Sequence, residues 1–267
     1  MSRILPLIVL VLLALVLLGR AAQERPEPAP VASPPTSQVA EPTPARTSNG
    51  AANRGTSAPP VDPTARPSTP ELDRLVTLAS RQRLEREQRY TYIDSLLAST
   101  DSVIRRWADR NGRPFRVALV DAPEVAGWRT SLPTIARRAF AAWQEVYPEL
   151  RFEVVADPAD AEITVRWIER FEIDRTGQTD VQFLSTGTIQ HAEVQLALHV
   201  PEGQPLVDAG LYAVAVHEVG HALGLPHSGN SRDVMFPDTR TGVISSRDRA
   251  TLVLLYAVAP GSLRLDR

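Results

Sequence analysis

The stretch His217-Glu218-Val219-Gly220-His221-Ala222-Leu223-Gly224-Leu225-Pro226-His227 places three of the chain's five histidines within eleven residues of an otherwise apolar segment. His217 and His221 are four apart, so on a helix their rings stand one above the other on a single face. Two imidazole nitrogens so placed can reach one ion at roughly 2.0–2.1 Å, the usual zinc–nitrogen distance. Gly224 lets the chain leave the helix and turn, because glycine takes positive φ at little cost. The turn returns His227 as a third ligand. Three neutral imidazoles leave one tetrahedral position open, as a catalytic rather than a structural zinc site requires. Glu218 lies off the ligand stripe, beside that position, where its carboxylate can take a proton from water. Burying three imidazoles and a carboxylate in an ordinary core would strand four polar groups.

The helix carrying this motif begins near Asp208, expected as its cap, and stops at Gly224. Upstream, Phe115 to Val120 reads as a strand. Ser131 is expected to cap a helix with Leu132, Ile135, Ala136, Ala139, Phe140, Trp143, Val146 and Tyr147 on one face. Arg151 to Val155, Glu162 to Ile168 and His191 to Leu198 read as strands, the last two with clear apolar alternation. A closing helix spans about Ser245 to Val258. The order β-α-β-β-β-α-α gives an α+β class: a mixed twisted sheet with an active-site helix, a packing helix and a C-terminal helix, over 113–267.

The preceding residues divide into three parts. Met1-Ser2-Arg3, the apolar run Ile4 to Leu18 and small residues to Ala22 have the parts of a secretory signal over 1–21. The run would span roughly 22 Å as a helix, short of a ~30 Å hydrocarbon core, which favours cleavage; Arg20 keeps an uncleaved anchor open. Either way the remainder works outside the cytoplasm, secreted or membrane-anchored. Residues 22–70 hold about half of the 23 prolines and almost no large apolar groups, the composition of a disordered tether. It is either a spacer or a linker without a specific role. Over 71–112, Leu72, Leu75, Val76, Leu84, Ile93, Leu96, Leu97, Val103, Ile104 and Trp107 fall mostly at helical intervals. This predicts one long or two shorter helices, ending at Asn111-Gly112, that serve as a stalk packed on the domain or as a pro-segment.

Composition narrows the function. All 29 basic residues are arginine, and the net charge of -2 gives no reason to expect nucleic acid as a partner. The chain has no cysteine, which excludes disulfides, thiolate zinc sites and a thiol nucleophile.

The motif resembles the long signature HExxHxxGxxH of the metzincin metallopeptidases, and within them the matrixins, which carry serine after the third histidine, here Ser228. Asp233-Val234-Met235-Phe236-Pro237 looks like their Met-turn, whose methionine lies beneath the zinc ligands. Ala139 to Trp143 is similar to the first matrixin helix, Asp160 to Ile163 to the start of the third strand, and Ser245 to Tyr256 to the closing helix. The likeness extends over roughly 105–260. It implies a zincin-like fold and a monomeric zinc endopeptidase acting on protein or peptide. His217, His221 and His227 would be the ligands of one Zn²⁺, Glu218 the general base and Met235 the Met-turn residue. Pro237 would wall the S1′ side, and the strand His191–Leu198, with Ala192, would pair with substrate.

Several features depart from the family. There is no cysteine to hold a zymogen latent. Pro237 stands where astacins and serralysins have a fifth tyrosine ligand, and Thr239 where the animal enzymes have tyrosine in the S1′ wall. His191 and His199 lack the spacing of the second, structural zinc site. Asp174 and Asp180 lie where matrixins often bind Ca²⁺, which leaves calcium open. Two alternatives are a non-peptidase zinc amidohydrolase and a surface-anchored interaction module with an idle zinc site; Glu218 speaks against the second.

Overall fold

The computed structural model describes residues 70–264. The signal over 1–21 and the tether up to residue 69 lie outside the described residues. In chain order the elements are α1 Pro70–Glu87, a 3-10 turn Gln88–Tyr90, α2 Ile93–Ser99, β1 Val103–Ile104, β2 Arg106–Trp107, β3 Phe115–Leu119, α3 Leu132–Val146, β4 Phe152–Val155, β5 Ile163–Ile168, β6 Gly177–Phe183, β7 Thr188–Ala197, α4 Asp208–Ala222, α5 Ser246–Ala257 and β8 Gly261–Ser262. Among the described residues no helix is long and apolar enough to cross a membrane.

The main sheet runs β4-β3-β5-β7-β6. β4, β3, β5 and β7 are parallel, and β6 lies antiparallel along the outer edge of β7. The short β2 pairs with the start of β7, so Ile189 has Trp107 on one side and Phe183 on the other. This is the mixed sheet with three packed helices that the sequence implies.

α3 forms because its apolar residues recur at three and four; Leu132, Ile135, Ala136, Ala139, Phe140 and Trp143 are all buried. Its expected cap is only half realised. Ser131 occupies the N-cap position, yet its hydroxyl makes no capping bond. α4 differs, being apolar around most of its circumference, as suits a helix enclosed by neighbours. Trp143 Nε1 donates to the Val216 carbonyl at 2.8 Å, fixing α3 against α4. Asp208 is the first helical residue of α4 rather than its cap, which is Val207; the Asp208 carboxylate pairs instead with Arg129. α5 opens on a complete capping box, the Ser245 hydroxyl and the Asp248 carboxylate exchanging bonds with each other's backbone N–H.

The helical reading of 71–112 holds only to Ser99. Asp101 and Ser102 adopt left-handed φ of 56° and 62°, which ends α2, and Val103, Ile104 and Trp107 then lie in strands. Short apolar runs fit either period, so spacing alone misassigned them. β1 pairs with β8, and β2 joins the main sheet. Tyr92, Ile93, Leu96, Ile104 and Trp107 share one hydrophobic core with the sheet and helices. Trp107 Nε1 donates to the Ala222 carbonyl at 2.8 Å, at the very end of α4. Arg110 grips Glu162, at the head of β5, through two bonds of 2.6 and 2.8 Å.

Candidate metal centre and cleft

α4 ends in a two-bond glycine turn: Leu225 N–H donates to Gly220 and Gly224 N–H to His221, with Gly224 at φ +97°. A Cβ on Gly224 would come within 2.7 Å of the Arg105 carbonyl, so both conformation and space require glycine. The turn brings His227 back over the helix.

The three rings converge. Their centroids are 4.7, 5.3 and 4.7 Å apart, and one nitrogen from each of His217, His221 and His227 lies within 4.8 Å of the others. His217 Nδ1 is 2.7 Å from the Val234 carbonyl and His221 Nδ1 2.8 Å from the Leu225 carbonyl. A carbonyl only accepts, so each Nδ1 carries the proton and each Nε2 presents a lone pair. Those two Nε2 atoms face one another at 3.1 Å. Neither can donate to the other without surrendering its carbonyl. Protonation is disfavoured as well: burial lowers the pKa of His217 and drives that of His221 down to about 3. Two lone pairs pointed at each other, with a third imidazole adjacent, fit a shared cation. Among the described residues no other three metal-binding side chains come so close. Asp174 and Asp180 gather no third ligand, and the Asp180 carboxylate accepts from Gln178. His191 lies on β7, while His199 Nδ1 sits 3.3 Å from the Glu169 carbonyl.

Glu218 is buried between α4 and β6. Its Oε2 accepts from the Thr179 hydroxyl at 2.6 Å, and a Cβ on Gly177 would come within 2.4 Å of its Oε1. Burial pushes the Glu218 carboxyl up to about 7, against the opposing pull of the Thr179 hydrogen bond. Gly177 and Thr179 were missed in the sequence because 174–180 was read as a possible calcium loop. The alternation of Thr179, Val181 and Phe183 with Gln178, Asp180 and Gln182 was the available signal for a strand.

The loop below the rings is held by two buried carboxylates. Asp233 accepts from Ser228, from Ser245 at 2.7 Å and from Arg247 at 3.0 Å. Asp248 accepts from the N–H groups of Val234 at 2.9 Å and Ser245 at 2.8 Å, and from the Tyr92 hydroxyl at 2.8 Å. Met235 is thereby fixed, fully buried, against Gly220 of α4, where a Cβ would meet its sulfur at 2.3 Å.

An open cleft of about 1150 Å³ runs past the three rings and Glu218. Pro237 lines it. Ala192 does not. It is fully buried, and its strand has β5 on one side and β6 on the other. The expected pairing of substrate with His191–Leu198 is therefore blocked; β6 is the edge strand facing the cleft.

Fold and centre together define a zincin-type domain with a site for one catalytic zinc. The matrixin family profile matches residues 119–257, just over half of the sequence, and the chain belongs to that family. It is similar to macrophage metalloelastase of Rattus norvegicus, 31% identical over 126 residues, covering 42% of this chain and 25% of the relative. Metalloendoproteinase 1-MMP of Arabidopsis thaliana is 33% identical over 150 residues, 50% of this chain and 40% of the relative. Matrix metalloproteinase-15 of Homo sapiens is 29% identical over 151 residues, 50% of this chain and 21% of the relative. The chain thus spans less than half the length of each.

Proposed function

We propose that this chain is a zinc-dependent endopeptidase. The observation that carries this reading is the converging His217–His221–His227 cluster with the buried Glu218 carboxylate beside it, both lining a cleft edged by β6. His217, His221 and His227 hold the zinc. Bound there, the ion supplies a Lewis acid that polarises a carbonyl and makes water more acidic. Glu218 accepts the proton of the attacking water and passes it to the leaving amine nitrogen. Thr179 and Gly177 hold the carboxylate in place against β6. The peptide adds to β6 as a further strand, its main-chain groups satisfied along Gly177–Phe183. Pro237 lines the cleft, and further along the same loop Gly242 lies against Tyr212 and Ala213 of α4. The enzyme acts outside the cytoplasm, delivered by the segment 1–21 and held or released according to whether that segment is cleaved; N-terminal sequencing of exported protein distinguishes the two.

Glu218→Ala is the decisive variant. It is expected to keep one equivalent of zinc and to lose about 10²–10⁴ in turnover of a peptide library. Parental cleavage by that variant, or cleavage by the wild type after chelation and metal removal, would rule the reading out.

A further inference from the structure

At the end of the cleft beside the last turn of α4, the wall is built from residues that precede the matrixin match. Leu96, Ser99, Thr100 and Arg105 line it, together with Phe183, Ile189 and Leu225. Arg105 is the cationic group of this wall. Its guanidinium carbon lies 3.9 Å from the centroid of the Phe183 ring. Its Nε is buried and has no acceptor among the described residues. Among the described residues Arg105 makes no ion pair, whereas Arg106 beside it bonds the Val258 carbonyl at 2.7 Å and pairs with Asp109. Stacking on Phe183 fixes the guanidinium plane, and a planar fork is the geometry that receives a carboxylate through two bonds.

We propose that Arg105 and Phe183 form a subsite for an acidic side chain of the substrate, making an aspartate or glutamate at one position a determinant of specificity. The inference rests on the endopeptidase reading and on a substrate strand running along β6. Phe183 lies four residues beyond Thr179, which touches Glu218. At ~3.3 Å per residue that is roughly 13 Å, so the acidic residue falls three to four residues from the scissile bond. The guanidinium supplies the charge, and the Phe183 ring packs on the stem of the bound side chain.

The test uses the full-length zinc-loaded protein and paired peptides that differ only by Glu or Gln at each position on either side of the cleaved bond. Wild type should cleave the Glu peptide about tenfold better at one position three or four residues from that bond, the worth of one charge-assisted contact. Arg105→Gln should abolish that preference while leaving kcat/KM for the Gln peptide within about twofold, and Arg105→Lys should keep part of it. Cleavage without a Glu preference at any position, or a preference that survives in Arg105→Gln, would overturn the subsite and leave the endopeptidase reading intact. If no peptide is cleaved, fluorescence anisotropy still decides. The uncleaving Glu218→Ala protein should bind the Glu peptide more tightly than the Gln peptide, and the double variant with Arg105→Gln should bind both alike; equal binding to Glu218→Ala would overturn the subsite. Thermal melting of each variant identifies loss of fold, and retention by Arg105→Lys separates charge from packing.

Discussion

His217 and His221 stand one turn apart on α4, each ring braced by a carbonyl. His227 hangs from a loop, more exposed, and its place is set by contacts far away in sequence. The helical pair is specified locally, because any helix through 217–221 superposes them. The third ring depends on where Leu225, Met235 and Asp248 have already been brought. One metal centre thus combines a part that needs only a helix with a part that needs the whole fold.

The largest expected effect comes from cutting the distant support. Asp248→Ala leaves the buried Val234 N–H and Tyr92 hydroxyl, and the half-buried Ser245 N–H, without that acceptor. Urea unfolding should show a loss of about 3–5 kcal/mol, and zinc affinity should fall with it. A loss under about 1 kcal/mol would mean that the loop holds itself, and the contrast between the two parts of the site would collapse.

Gly220→Ala probes the seam where helix and loop meet. The added methyl meets Met235 sulfur at 2.3 Å and the Trp143 ring at 2.9 Å. Overpacking should cost about 1–3 kcal/mol even though alanine favours the helix. Combining it with Met235→Ala should recover part of the loss; strict additivity in that double-mutant cycle would show that the two do not touch.

Thr179→Val sharpens the comparison from the edge strand. It should lower kcat about tenfold, the worth of a hydrogen bond to a charged group, with KM and bound zinc unchanged. Thr179→Ser should restore the rate; a Ser variant as slow as Val would assign the effect to packing.

The smallest effect is expected at Glu162→Gln, a long-range contact remote from the rings. Burial alone would raise the Glu162 pKa, but hydrogen bonds from Arg110 and the Arg116 N–H, with both charges, hold it below its usual 4.5. A carboxylate with a depressed folded-state pKa stabilises above the unfolded value and loses that contribution as pH falls through the folded one. The gap between wild type and Glu162→Gln, about 1 kcal/mol or less, should be full at pH 6 and close below 4.5. A gap independent of pH would mean that the ion pair contributes nothing.

The same division explains what could be read in advance. The pairing of His217 with His221, the turn at Gly224 and the core face of α3 were legible because each rests on spacing within one helix or turn. The helix caps at Ser131 and Asp208 were not, since Arg129 recruits Asp208 from a distant loop and the Ser131 hydroxyl makes no capping bond. β1 and β2 became strands only because β8 and β7 offered partners. Substrate pairing was placed on the strand His191–Leu198 by resemblance, and its apolar alternation reports burial rather than which strand is left at an edge; β5 and β6 occupy both of its sides.

Asp248 also has an electronic consequence. The peptide group joining Val234 to Met235 is held at both ends: its N–H points at the Asp248 carboxylate, 3.4 Å away, and its carbonyl receives the proton side of His217 at 2.7 Å. A negative charge on one side of an amide drives electron density toward its oxygen, and from there into the imidazole that bonds it. A carboxylate fourteen residues beyond Val234, never in contact with the ring, thus enriches His217 Nε2 through a single peptide plane.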